Sequence, residues 1–127
     1  MGNLISCSNE KKNIEEDEEL YTLPDIENFI HKYNCSIVES TSNSIKINQK
    51  YNLYLCDNDI IIKNRQNTFT FIYNNILHWT FSKHFFGFTY KNSTAVEDIV
   101  IKVNNGNKVA KNLKKIVYEL VDYYKNI

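Results

Sequence analysis

A chain of 127 residues has the size of one domain, and with 43% hydrophobic and 13% aromatic side chains it can bury a substantial core. Its 15 basic and 15 acidic groups cancel, and no apolar run approaches a membrane-spanning length, so neither a strongly basic nucleic-acid binder nor an integral membrane protein is indicated. Three widely spaced cysteines, Cys7, Cys35 and Cys56, fit reduced thiols better than a disulfide framework or a zinc site.

The first seven residues, Met1-Gly2-Asn3-Leu4-Ile5-Ser6-Cys7, fit the pattern Met-Gly-x-x-x-Ser/Thr. Removal of Met1 exposes the unhindered Gly2 amine that N-myristoyltransferase needs as nucleophile, and Ser6 supplies the small hydroxyl residue. Cys7 then sets a thiol near the membrane surface, within reach of a palmitoyl acyltransferase. One myristoyl chain binds membranes only marginally, with an association constant on the order of 10⁴ M⁻¹, so stable residence calls for a second anchor. The alternative is a chance match at a terminus.

Residues 1–21 read as an acylated, acidic tether. Through residue 24, two lysines face six carboxylates, five of them in the run Glu15-Glu16-Asp17-Glu18-Glu19. Such a run is expected to be solvated, with a docking strip for a basic partner as the alternative. It would be repelled by anionic lipid, which leaves Cys7 as the expected second anchor.

The domain is expected from residue 22 to 127. Thr22, Pro24 and the spacing of Ile26, Phe29, Ile30 and Tyr33 predict a short helix over 22–33. From Cys35 to Val103 the period becomes two, predicting segments near 35–40, 44–48, 51–56, 59–64, 68–73, 76–82, 85–90 and 98–103. Seven strands result if 44–48 and 51–56 form one bent strand. Phe69, Phe71 and Tyr73 are expected on one face, as are Leu77, Trp79 and Phe81, then Phe86, Phe88 and Tyr90. Polar turns fall at Asp57-Asn58-Asp59, Asn64-Arg65-Gln66-Asn67, Asn74-Asn75 and Asn92-Ser93.

A strong helix closes the chain, with Asn107 as its expected cap. Val109, Leu113, Ile116, Val117, Leu120, Val121 and Tyr124 form one apolar stripe, expected to cover the end of an antiparallel barrel or sandwich. The alternative is a helix lying on a membrane.

Seven antiparallel strands followed by one amphipathic helix resemble the pleckstrin-homology and phosphotyrosine-binding superfold over about residues 34–126. Together with Met-Gly-Asn-Leu-Ile-Ser-Cys, the chain resembles the inner-membrane-complex sub-compartment proteins of apicomplexan parasites, which join an acylated terminus to a pleckstrin-homology-like domain. The resemblance implies a mainly β domain, attachment to the cytoplasmic face of the inner membrane complex, and a scaffold or adaptor role toward protein partners. Family members often carry more than one cysteine near the terminus; here only Cys7 is present.

No enzyme chemistry is legible. His31, His78 and His84 lack ligands at metal spacing, Cys35 and Cys56 lack a flanking base, and a Gly-rich phosphate loop is absent. No metal, cofactor or nucleic acid is therefore expected. The first strands offer Lys32, Lys46 and Lys50 but no arginine, which disfavours a phosphoinositide pocket and leaves an anionic-lipid-binding adaptor as the alternative reading. Phe85 and Phe86 are adjacent, so on a strand they face opposite ways, and one of them is a candidate partner-binding anchor. Packing of both within the domain is the other reading.

Overall fold

The computed structural model describes residues 26–126. Seven strands run β1 (Phe29–Ser40), β2 (Lys50–Cys56), β3 (Asp59–Lys63), β4 (Thr68–Ile72), β5 (Ile76–Phe81), β6 (Phe85–Lys91) and β7 (Val96–Lys102), and helix α1 (Gly106–Lys125) follows. All neighbours are antiparallel, in the order β4-β3-β2-β1-β7-β6-β5. The ladder does not close: β4 and β5 remain edges. The protein is thus mainly β with one C-terminal helix, and fits a pleckstrin-homology-like sandwich rather than a closed barrel.

β1 is the hinge of this arrangement. Its residues up to Ser36 pair with β2, and from Ser36 onward it pairs with β7, with a register shift between Ile37 and Glu39. A bulge of this kind bends and twists a strand, which lets one strand serve both halves. Period-two alternation buries Ile37, Leu53, Leu55, Ile60, Ile62, Phe86, Ile99 and Ile101 completely on the inner face. The halves meet through aromatic rings. Phe71 on β4 packs edge-on against Phe88 and Tyr90 on β6, at centroid distances of 5.0 and 4.8 Å. These separations are in the favourable range for tilted rings.

Several sequence expectations are overturned. The helix expected over 22–33 is absent from its described part, because Phe29–Ser40 is one 12-residue strand. Ile26, Phe29, Ile30 and Tyr33 match helical spacing, but the same stretch also alternates, and pairing with β2 decides between the two periods. Ile30 is consequently 45% exposed. Segment 44–48 is not a strand either. It is a loop in which Ile45 is buried, its N–H bonds to the Ser42 carbonyl, and Asn48 adopts a positive φ of 63°. The left-handed region breaks a strand, and Asn tolerates it better than most residues. At β5 the register shifts between Ile76 and His78, so Leu77 leaves the face of Trp79 and is exposed.

The turns follow their chemistry. The Asn64 side-chain oxygen accepts from the N–H groups of Gln66 and Asn67 at 2.9 and 2.8 Å, and Asn92 does the same for Thr94 and Ala95. At the start of α1 the cap is Asn105 rather than Asn107. Its side chain accepts from the Lys108 N–H at 3.2 Å, because the helix begins two residues earlier than the apolar stripe suggests. Gly106 is obligatory there: a Cβ would collide with the carbonyl oxygens of Ser82 and Phe85. Val109, Ala110, Leu113 and Ile116 are buried, whereas Val117 and Leu120 are only partly covered and Val121 and Tyr124 are exposed. A helix of 20 residues is about 30 Å long, and the stripe outruns the sheet after Ile116. Asn112 ties it down midway, donating to the Tyr33 hydroxyl on β1 at 2.7 Å.

Candidate interaction site

Phe85 and Phe86 separate as adjacent strand residues must. Phe86 lies opposite Phe81 and Ile101, faces inward and is fully buried. Phe85 lies opposite Lys102, faces outward and is 42% exposed. It rides on a hairpin that the backbone fixes from two sides. The Ser82 N–H bonds to the Phe85 carbonyl at 2.9 Å, while the N–H groups of Val103 and Gly106 bond to the carbonyls of His84 and Lys83. The hairpin therefore holds Phe85 against the start of α1 with little freedom.

Beside Phe85 is a shallow depression of about 240 Å³ bordered by Thr80, Phe81, Gly87 and Val100. Gly87 forms its floor, where an added Cβ would lie 3.2 Å from the Ile99 carbonyl oxygen and 3.3 Å from Val100 Cγ2. A second depression, of about 360 Å³, begins on the other side of Val100, between Val38, Ile47 and Asp98. Phe81, Phe85 and Ile47 all keep 42–53% of their surface exposed. Around the corner, β5 pairs only with β6, and α1 rests on these two strands. The exposed Leu77 of this edge and the free Val121 and Tyr124 of the helix are further apolar surface. An open strand edge with apolar side chains near it can accept an extended segment through main-chain hydrogen bonds.

The remaining sequence candidates fall elsewhere. Gly2 and Cys7 lie outside the described residues. His78 and His84 are exposed and His31 stacks on Tyr33 at 6.3 Å. Among the described residues no group of three or more His, Cys, Asp or Glu side chains is placed to hold a metal. Burial pushes the Cys35 thiol up to about 12. Cys56 is raised to about 11 by burial, with the carboxylates of Asp59 and Asp57 adding to it. Both thiols stay protonated near neutral pH. No described helix is long and apolar enough to cross a membrane.

Of the lysines singled out on the first strands, Lys46 is exposed in the loop before β2. Lys32 and Lys50 lie on the outer face of β1 and β2, and the register adds one cation the sequence reading passed over: Lys63 sits opposite Asn52. Arg65 occupies the adjoining β3–β4 turn. The signal was present in the spacing of β2 and β3 around Asp57-Asn58, which fixes their register, but lysines far apart in sequence hide their proximity. No known family matches the chain, and no curated protein matches it either.

Proposed function

We propose that this protein is a non-enzymatic scaffold or adaptor, anchored to a membrane by acyl chains on Gly2 and Cys7 and organising protein partners through its sandwich domain. The resemblance of its terminus and element order to inner-membrane-complex sub-compartment proteins suggests the cytoplasmic face of that compartment. The observation that carries the reading is Phe85: a large aromatic held outward by a rigid hairpin, beside an open depression and a free strand edge. Such an anchor suits burial in a partner, since aromatic side chains in pockets dominate many interfaces. With the membrane energy supplied by lipid chains, the domain is left to choose the partner.

The test separates attachment from targeting in the full-length protein. Gly2→Ala is expected to release the protein to the soluble fraction, because myristoylation precedes the encounter of Cys7 with its acyltransferase. Cys7→Ser is expected to leave weak, promiscuous membrane sampling. Phe85→Ala is expected to keep bulk membrane attachment and folding but lose sub-compartment localisation. Correct localisation of Phe85→Ala would refute the role of the anchor. The outer-face lysines Lys32, Lys50 and Lys63 favour one second reading, an adaptor for phosphoinositide or other anionic head groups. Head-group-specific vesicle binding, lost on reversing Lys50 and Lys63, would establish that reading instead.

A further inference from the structure

On the outer face of β1–β4, opposite the core, the middle of β2 is buried while Lys32 and Asn34 on β1 and Thr68, Thr70 and Ile72 on β4 are exposed. On β2 the inner residues are Tyr51, Leu53 and Leu55, yet the alternate residues Asn52, Tyr54 and Cys56 are also buried, Tyr54 completely. Asn52 is the one buried polar side chain among the described residues. Tyr54 stands outside the core cluster; its ring meets Phe29 at 5.3 Å, and Lys32 and Ile61 are its cross-strand neighbours. The next rows on this face are Asn34–Asn52–Lys63–Thr68 and Ser36–Lys50. The face is therefore apolar in its middle and basic toward Lys50, Lys63 and the Arg65 turn. On these strands the face carries two carboxylates, Asp59 at the opposite end and Glu39, which lies beyond Ser36 opposite Val100 on the β7 side.

We propose that the chain's own acidic N-terminal segment lies across this face, with Leu20, Tyr21 and Leu23 over Tyr54 and Phe29 and the Glu15–Glu19 run against Lys63, Lys50 and Arg65. The order of residues matches the order of the surface. The chain enters β1 at Phe29, beside Cys56, and Asn28 holds a positive φ of 64°, which breaks the strand direction there. Seven residues separate Glu19 from Ile26, an extended reach of about 23–25 Å. The face from Cys56 to Lys50 is six residues long, or about 20 Å. The apolar residues nearest Ile26 thus fall on the apolar middle, and the acids reach the cations. A second exposed lysine-rich surface is formed by Lys108, Lys111, Lys114 and Lys115 on α1. Single exposed ion pairs are weak, so the apolar contact fixes the segment and the charges set its direction. Docked in this way, the run also screens the cations that a lipid-binding reading would use.

Zero-length carbodiimide coupling of carboxylates to amines, mapped by mass spectrometry on the full unacylated chain, tests the placement. Residues 15–19 should couple within one chain to Lys50 and Lys63 several-fold more often than to the α1 lysines. The preference should fall at about 1 M salt, where the screening length drops to about 3 Å. Equal coupling to the α1 lysines, no coupling, or coupling only between chains would overturn the proposal; the last would indicate a second copy on this face. As an independent readout, converting Glu15, Glu16, Asp17, Glu18 and Glu19 to lysine should shift the amide resonances of Asn52, Tyr54 and Ile61 and spare those of α1. Unmoved resonances at all three sites would also overturn it.

Discussion

Gly106→Ala sets two physical effects against each other. As the first residue of α1, Gly106 should gain from alanine up to about 1 kcal/mol of helix propensity. The structure predicts the reverse sign. A Cβ at this position would penetrate the carbonyl oxygens of Ser82 and Phe85, both backbone atoms of the β5–β6 hairpin and unable to rotate away. The Gly106 N–H also bonds to the Lys83 carbonyl at 2.7 Å, so relieving the clash pulls this bond apart. Overpacking costs about 1–3 kcal/mol when side chains can yield, and a backbone clash lies at the upper end. The net expectation is a loss of about 2–3 kcal/mol, or a fall in Tm of roughly 10–20 °C for a domain of about 100 residues. Thermal unfolding followed by circular dichroism measures it, with Asn107→Ala as the control for propensity without a clash. An unchanged or raised Tm for Gly106→Ala would show that the helix start is not clamped to the hairpin, and the rigidity argued for Phe85 would fall with it.

Stability should also grade along the helix. Leu113→Ala, at a fully buried position, is expected to cost about 2–5 kcal/mol, Leu120→Ala distinctly less, and Val121→Ala under about 0.5 kcal/mol; denaturant titration of the three variants checks the order. Phe86→Ala should cost about 3–5 kcal/mol while Phe85→Ala costs about 1 kcal/mol or less, a contrast readable in the same titrations. Alkaline pH should destabilise the domain. Cys35, held near 12 against an ordinary 9.0, and Tyr90, raised from 10.0 to about 12 by burial and then by Glu97, keep their protons in the fold after the unfolded chain has lost them. The unfolded state then binds fewer protons, so stability is full below about pH 9 and declines as pH rises toward 12. Cys35→Val should flatten part of that decline in equilibrium unfolding measured between these limits.

How much was legible differs by element. The strands from Asp59 onward could be read because most keep a partly solvated face and an explicit turn: Asn64 and Asn92 announce their reversals with side-chain bonds to the following N–H groups. β1 could not, because its outer face is partly apolar and bulged, so Phe29, Ile30 and Tyr33 satisfied a helical template as well as an alternating one. Only the partner strand resolves that ambiguity. The loop 44–48 misled for a similar reason, since Ile45 and Ile47 alternate with polar residues but Asn48 turns left-handed. At the candidate site, adjacency alone required Phe85 and Phe86 to part, but their sides depended on the register with β7. The outer-face grouping of Lys32, Lys50 and Lys63 is a property of three paired strands and of no single one.

The position of β1 bears on when the fold can form. Its first half finds its partner in the next strand, β2, but Ser36–Ser40 must wait for Ile99–Lys102, and Tyr33 for Asn112. During synthesis the middle of the sheet is therefore a temporary edge, with unpaired main-chain groups and the side chain of Ile37 open to any neighbouring strand. Pairings this distant in sequence slow folding and lengthen exposure to aggregation. The sheet can be completed only after β7 has emerged from the ribosome, so a truncated product ending before β7 would carry that edge permanently.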